Sequence, residues 1–125
     1  MIKTIYFIFF ACAFSLGLWA CAGNKKEAYK NLSSSQFEEL IKSENVQLVD
    51  VRTAEEYMEG HIPGSLNINV KDTVNFPISV DEQLDRSCKI AVYCRSGRRS
   101  RTAADILAKK GFKVYNLDKG ILNWI

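Results

Sequence analysis

Two short segments of this chain, residues 46–51 and 89–94, are almost continuously apolar. A strand with one wet face alternates apolar and polar residues, so unbroken runs suit central parallel strands buried on both faces. Parallel neighbours need crossover connections, and helical signals stand between the runs. Ser35 with Glu38 fits a capping box, and Phe37, Leu40 and Ile41 recur at helical spacing, which predicts a helix over 35–43. Thr53 with Glu56 opens a second helix that Gly60 closes, and Val80 with Leu84 marks a third over 79–86. Ala103, Ile106 and Leu107 give the inner face of a fourth, stopped by Gly111. Residues 66–70 and 113–117 read as further strands and 120–125 as the start of a last helix. Alternating strands and helices imply right-handed crossovers, hence an α/β domain whose mostly parallel central sheet carries helices on both faces.

The 125 residues leave room for one domain, and about a hundred of them for its fold once a leader is set aside. With 47% apolar and 25% charged residues, such a domain buries an adequate core without disulfides or a structural metal. No cofactor is called for, and a monomer is expected. The net charge of +3 is too small to argue for nucleic acid or an anionic lipid surface as a partner.

Residues 1–20 have the layout of a secretory signal: a single charge at Lys3, then an apolar run with four phenylalanines. The run ends in Leu18-Trp19-Ala20-Cys21, which resembles the lipobox of bacterial lipoproteins, with Trp19 where a small residue is usual. Cys21 is then the lipidated N-terminus, residues 21–31 form a polar tether, and residues 32–125 the folded domain. An uncleaved anchor helix and a simple secretory signal stay open as alternatives. All three put the domain outside the cytoplasm; the lipobox puts it in the bacterial envelope, on the periplasmic side, held to the membrane by lipid.

The folded part keeps two cysteines. If Cys88 and Cys94 bracket a strand, their Cα atoms stand roughly 20 Å apart, too far to pair. Of the six arginines, Arg95, Arg98, Arg99 and Arg101 follow Cys94 within seven residues. The loop Arg95-Ser96-Gly97-Arg98-Arg99 joins the carboxyl end of a buried strand to a helix, where α/β sheets bind ligands. Loop amides running onto a helix N-terminus form an anion cradle, and a cysteine at its rim has a depressed pKa and reacts as thiolate. A buried, inert cysteine followed by solvated arginines is the alternative, and the clustering argues against it.

At these residues the chain resembles the rhodanese-homology family. The pieces that carry the resemblance are Leu48-Val49-Asp50-Val51-Arg52, Glu55-Glu56-Tyr57 with Gly60-His61-Ile62-Pro63-Gly64-Ser65, and Val92-Tyr93-Cys94-Arg95-Ser96-Gly97-Arg98-Arg99-Ser100. Gly111-Phe112-Lys113-Val114-Tyr115-Asn116-Leu117 and Gly120-Ile121-Leu122-Asn123-Trp124 complete it. The resemblance implies a rhodanese-like fold and a thiosulfate-type sulfurtransferase. Cys94 takes a sulfane sulfur from a small anionic donor as a persulfide and passes it to cyanide or a thiol acceptor. It also implies that residues 94–99 supply amides around the persulfide, with Arg95, Ser96, Gly97, Arg98 and Arg99 binding substrate. Asp118-Lys119-Gly120 stands where the family usually shows paired glycines, a departure expected to bear on terminal packing and not on the loop.

His61 is expected to hydrogen-bond local backbone, and Asp50 with Arg52 to form an ion pair that supports the loop, alongside Ser100. Two rival functions use the same cradle. A non-catalytic binding module is the reading when the cysteine is absent, and here it is present. A Cys-x5-Arg phosphatase needs arginine six residues after the cysteine, and that position is Ser100.

Overall fold

A computed structural model describes residues 28–124. The proposed lipidation site Cys21, the leader and most of the tether lie outside them. Among the described residues no helix is long and apolar enough to cross a membrane.

The chain runs β1 (Lys30–Leu32), α1 (Ser34–Ile41), β2 (Val46–Asp50), α2 (Ala54–Glu59), β3 (Leu66–Asn67), α3 (Asn75–Gln83), β4 (Lys89–Tyr93), α4 (Arg98–Lys109) and β5 (Lys113–Leu117), then a 3-10 turn at Ile121–Asn123. The strands form one sheet in the order β1-β5-β4-β2-β3, and every pairing is parallel. The unbroken apolar runs are its centre. In β4, Ile90, Ala91, Val92 and Tyr93 are all fully buried, because successive side chains enter two cores. On one face Ile90, Val92 and Val114 meet Val80 of α3 and Ala103 and Leu107 of α4. On the other, Leu48, Ala91, Tyr93 and Leu117 pack around Phe37 of α1. The expected α/β architecture, with helices on both faces, stands.

Several element bounds differ from the sequence-based expectation. The first helix starts earlier, because three consecutive serines offer two registers for a capping box. Ser33 is the one used: its Oγ accepts from Gln36 N at 3.3 Å, and Gln36 Oε1 accepts from Ser33 N at 2.9 Å. The third helix begins at Asn75, whose amide donates to Asp72 Oδ1 at 3.1 Å, and Pro77 fits the first turn, where its missing N–H is no loss. Residues 30 and 31, read as tether, belong to edge strand β1, whose polar residues carry no periodic signal. The third expected strand pairs only at Leu66 and Asn67, although Val70 N still donates to Val51 O at 3.1 Å. In place of a terminal helix there is one 3-10 turn, followed by an extended Trp124.

Candidate active site

All strands point the same way, so the loops after β2, β4 and β5 meet at one end of the sheet. Cys94 immediately follows β4, only 1% exposed. Its carbonyl and the sulfur face different partners. Sγ accepts a hydrogen bond from Gly97 N at 3.1 Å, while the carbonyl accepts from Ile121 N at 2.9 Å.

Gly97 is the N-cap of α4 and adopts φ 101°, and no side chain caps that helix. The Cys94 sulfur therefore sits where a capping oxygen would, at the positive end of a twelve-residue helix. Glycine is required at residue 97 for two reasons. The conformation is left-handed, and a Cβ there would overlap the Asp118 carbonyl oxygen.

Burial pushes the Cys94 thiol up, but hydrogen bonds from the Ser100 hydroxyl and from the amides of Ser100, Gly97 and Ser96 outweigh it, so the net direction is down. The Ser100 hydroxyl has one proton to place. Its Oγ lies 3.2 Å from Gly97 O, and an ionised sulfur is the stronger acceptor of the two. Ser100 is fully buried, so it belongs to the cradle itself and not to its surroundings.

The arginines divide. Arg95, Arg98 and Arg101 are exposed and enter no ion pair among the described residues. Arg99, expected to stand open to anionic donors alongside Arg95 and Arg98, is engaged instead. Its Nη1 and Nη2 donate to Glu56 Oε1 and Oε2 at 2.7 and 2.9 Å. The Arg99 fork holds the Glu56 carboxyl down at about 2. Glu56 also accepts from Thr53 N and Thr53 Oγ1, so the pair is built on the N-terminus of α2. The sequence reading saw Glu56 only as a cap. Its partner lies 43 residues away, and no local spacing announces such a pair.

Asp50 and Arg52 form a buried, doubly hydrogen-bonded pair behind the loop, with Arg52 Nη2 at 2.7 Å from Asp50 Oδ2. The same nitrogen donates to Gly60 O at 2.7 Å, which ties the β2 end to the turn before His61. His61 is exposed; its Nδ1 lies 2.8 Å from Tyr57 O, and its ring stacks on Tyr57 with centroids 3.7 Å apart. It makes no contact with Cys94 among these bonds. Two residues assigned no individual role from the sequence, Tyr93 and Ser65, also meet beside the Ile62 turn. Tyr93 Oη accepts from Ile62 N at 3.0 Å and lies 3.2 Å from Ser65 Oγ, and burial pushes this phenol up to about 12.

Cys88, half-buried, precedes the opposite end of β4, and neither it nor Cys94 forms a disulfide among the described residues. Among the described residues no cluster of His, Cys, Asp or Glu is placed to hold a metal ion. An open groove of about 730 Å³ lies at the starts of β1 and β5, lined by Tyr29, Phe112 and Tyr115, at the far end of the sheet from Cys94. What the Cys94 end offers is a buried sulfur with amide and hydroxyl donors around it, followed in the chain by three exposed arginines, Arg95, Arg98 and Arg101.

Known proteins share this arrangement's frame. The chain is 35% identical over 98 residues to the thiosulfate sulfurtransferase GlpE of Shewanella oneidensis, covering 78% of this chain and 93% of that protein. It is 36% identical over 101 residues to a tRNA uridine(34) hydroxylase of Prochlorococcus marinus, covering 75% of this chain but only a third (33%) of the hydroxylase. Among solved structures, a rhodanese-like domain protein from Staphylococcus aureus superposes with a TM-score of 0.67 at 27% identity, over 77% of this chain and 91% of that one. The family model for the rhodanese-like domain matches residues 33–125, nearly all of the folded part. With that match and these relatives, the chain belongs to the rhodanese-like domain family.

Proposed function

We propose that this protein is a thiosulfate-type sulfurtransferase that carries sulfane sulfur on Cys94. The observation that carries the reading is the Cys94 sulfur acting as the acceptor at an uncapped helix N-terminus, 3.1 Å from Gly97 N. The Cys94 thiolate attacks the outer sulfur of thiosulfate; an S–S bond forms, and sulfite leaves with the electron pair of the bond it loses. Cyanide or a thiolate then attacks the outer sulfur of the persulfide, and the Cys94 thiolate leaves, ready for another cycle. Neither half-reaction moves a proton through a side chain, so no general base is needed, and His61 stays outside the mechanism.

Arg95 and Arg98 draw anionic donors to the mouth, a long-range task tolerant of geometry. The amides of Ser96 and Gly97 and the Ser100 hydroxyl stabilise the charge on sulfur, first as thiolate and then as persulfide. Phosphatase chemistry is disfavoured by the same residues. A phosphoryl group needs a guanidinium fork in the cradle; Ser100 occupies the position that would supply it, and the Arg99 fork is taken by Glu56. Assaying thiosulfate with cyanide and an aryl phosphate on one preparation tests this. Thiocyanate formation without phosphate release supports the assignment, and the reverse overturns it.

The setting we propose is the bacterial envelope, with Cys21 lipidated and the domain on the periplasmic side. Leu18-Trp19-Ala20-Cys21 at the end of an apolar leader supports it. Detergent partitioning and intact mass of the native protein test it; a mature, unlipidated soluble form would refute it.

A further inference from the structure

Residues 118–124 run against the sulfur loop and meet it through Asp118, Gly120, Ile121 and Leu122. Ile121 N donates to Cys94 O at 2.9 Å, and Leu122 N donates to Arg95 O at 3.1 Å. Gly120, at φ 72°, lies so close that a Cβ would overlap the Arg95 carbonyl and crowd Ser96 N, while Asp118 backs Gly97 in the same way. The far end of the segment is latched to α1. Trp124 meets the fully buried Phe37 edge to face at 6.0 Å and 88°, and Ser34 Oγ donates to Asn123 O at 3.2 Å.

Peptide planarity turns these contacts into an orienting device. In a trans peptide the C=O of one residue and the N–H of the next point in opposite directions, and no cis bond occurs among the described residues. Drawing the carbonyls of Cys94 and Arg95 toward the strap aims the amides of Arg95 and Ser96 away from it. Ser96 N is one of the donors that stabilise the Cys94 thiolate.

We propose that the strap of residues 118–124, latched by Trp124 on Phe37, positions the sulfur cradle by holding the carbonyls of Cys94 and Arg95 outward so that the Ser96 amide faces the sulfur. Trp124 is thus a positioning residue that never meets the substrate. This corrects the expectation that the Asp118-Lys119-Gly120 departure bears on terminal packing and not on the loop, since Asp118 and Gly120 lie directly against it.

The inference rests on the sulfurtransferase reading for its purpose, and its test does not. In the full-length chain, the rate of Cys94 alkylation against pH, read at that site by peptide mass spectrometry, reports the cradle whether or not sulfur is transferred. Trp124→Ala is expected to move the inflection up by about one pH unit and to lower kcat for thiosulfate about tenfold, with KM changed less. Trp124→Phe, which keeps an aromatic edge on Phe37, is expected to restore most of both. Gln47→Ala, which removes the 2.7 Å hydrogen bond that Gln47 Oε1 accepts from Asp85 N at the end of the sheet away from Cys94, is expected to lower the melting temperature without moving the inflection. If Trp124→Ala does not fold, Ser34→Ala loosens the other latch and is expected to shift the inflection the same way by less. An inflection that stays at the parent value in the folded strap variants, with only the melting temperature lowered, overturns the proposal.

Discussion

The guanidinium of Arg99 closes on the carboxylate of Glu56 through two hydrogen bonds of 2.7 and 2.9 Å, one from each terminal nitrogen. This fork-to-fork pair joins the start of α4 to the first turn of α2. It also decides what the cluster of arginines is for. Arg99, partly buried, is spent on structure, while Arg95, Arg98 and Arg101 are exposed and enter no ion pair among the described residues.

Glu56→Gln should therefore weaken the fold in a pH-dependent way. The Glu56 carboxyl is held at about 2 in the folded state by Arg99, against an ordinary value of 4.5. A depressed carboxyl contributes stability that is fully present above about 4.5 and is lost as pH falls through about 2. The variant should melt several degrees below the parent at pH 7, with the gap closing between about pH 4.5 and pH 2. Thermal melts at a series of pH values check this; a gap that does not change with pH would contradict the assigned role of the pair.

Ser100→Ala removes the hydroxyl that helps to hold the thiolate, while leaving the amides of Ser96, Gly97 and residue 100 in place. The Cys94 inflection should rise toward the ordinary thiol value, and turnover at neutral pH should fall about tenfold. Site-specific alkylation across pH measures the first effect and steady-state kinetics the second. An unchanged inflection would mean that the hydroxyl stays on Gly97 O in both charge states.

Gly97→Ala should be far more damaging than its size suggests. The left-handed backbone disfavours a side chain by about 1–3 kcal/mol, and the new Cβ would also overlap the Asp118 carbonyl. We expect a sharp loss of soluble yield or a melting temperature lower by 10 °C or more (about 2 kcal/mol in a domain of this size). Near-parent stability would show that the strap yields easily.

Cys88→Ser should leave turnover within a few-fold of the parent, whereas Cys94→Ser should abolish it. Cys88 precedes the far end of β4 and forms no disulfide among the described residues. Equal losses from the two changes would point to a resolving-cysteine mechanism and contradict the separation that β4 imposes.

These predictions draw on features that the sequence disclosed unevenly. The β4 run was legible because both its faces are apolar, and the Thr53 and Glu56 box because capping is local. The position of Cys94 at a strand end and before a helix followed from the same signals. Edge strand β1 was not legible, since a three-residue polar segment gains its order from pairing with β5, a partner some 85 residues away. The Glu56 to Arg99 pair and the strap contacts were hidden for the same reason. The pair joins two helix starts 43 residues apart, and the strap lies in a loop and a 3-10 turn; neither contact leaves a hydrophobic period in the sequence. Ser100 was recognised by counting from Cys94, but its burial inside the cradle depends on how α4 is rotated against the sheet, which periodicity does not specify at a helix's first turn.

The central claim is that Cys94 carries sulfur, and intact and peptide mass spectrometry after incubation with thiosulfate tests it most directly. We expect the mass of one sulfur atom added at Cys94, absent from Cys94→Ser, and removed by cyanide with thiocyanate formed in equal amount. A Cys94 that gains no mass from thiosulfate, together with phosphate release from an aryl phosphate that depends on Cys94, would contradict the account.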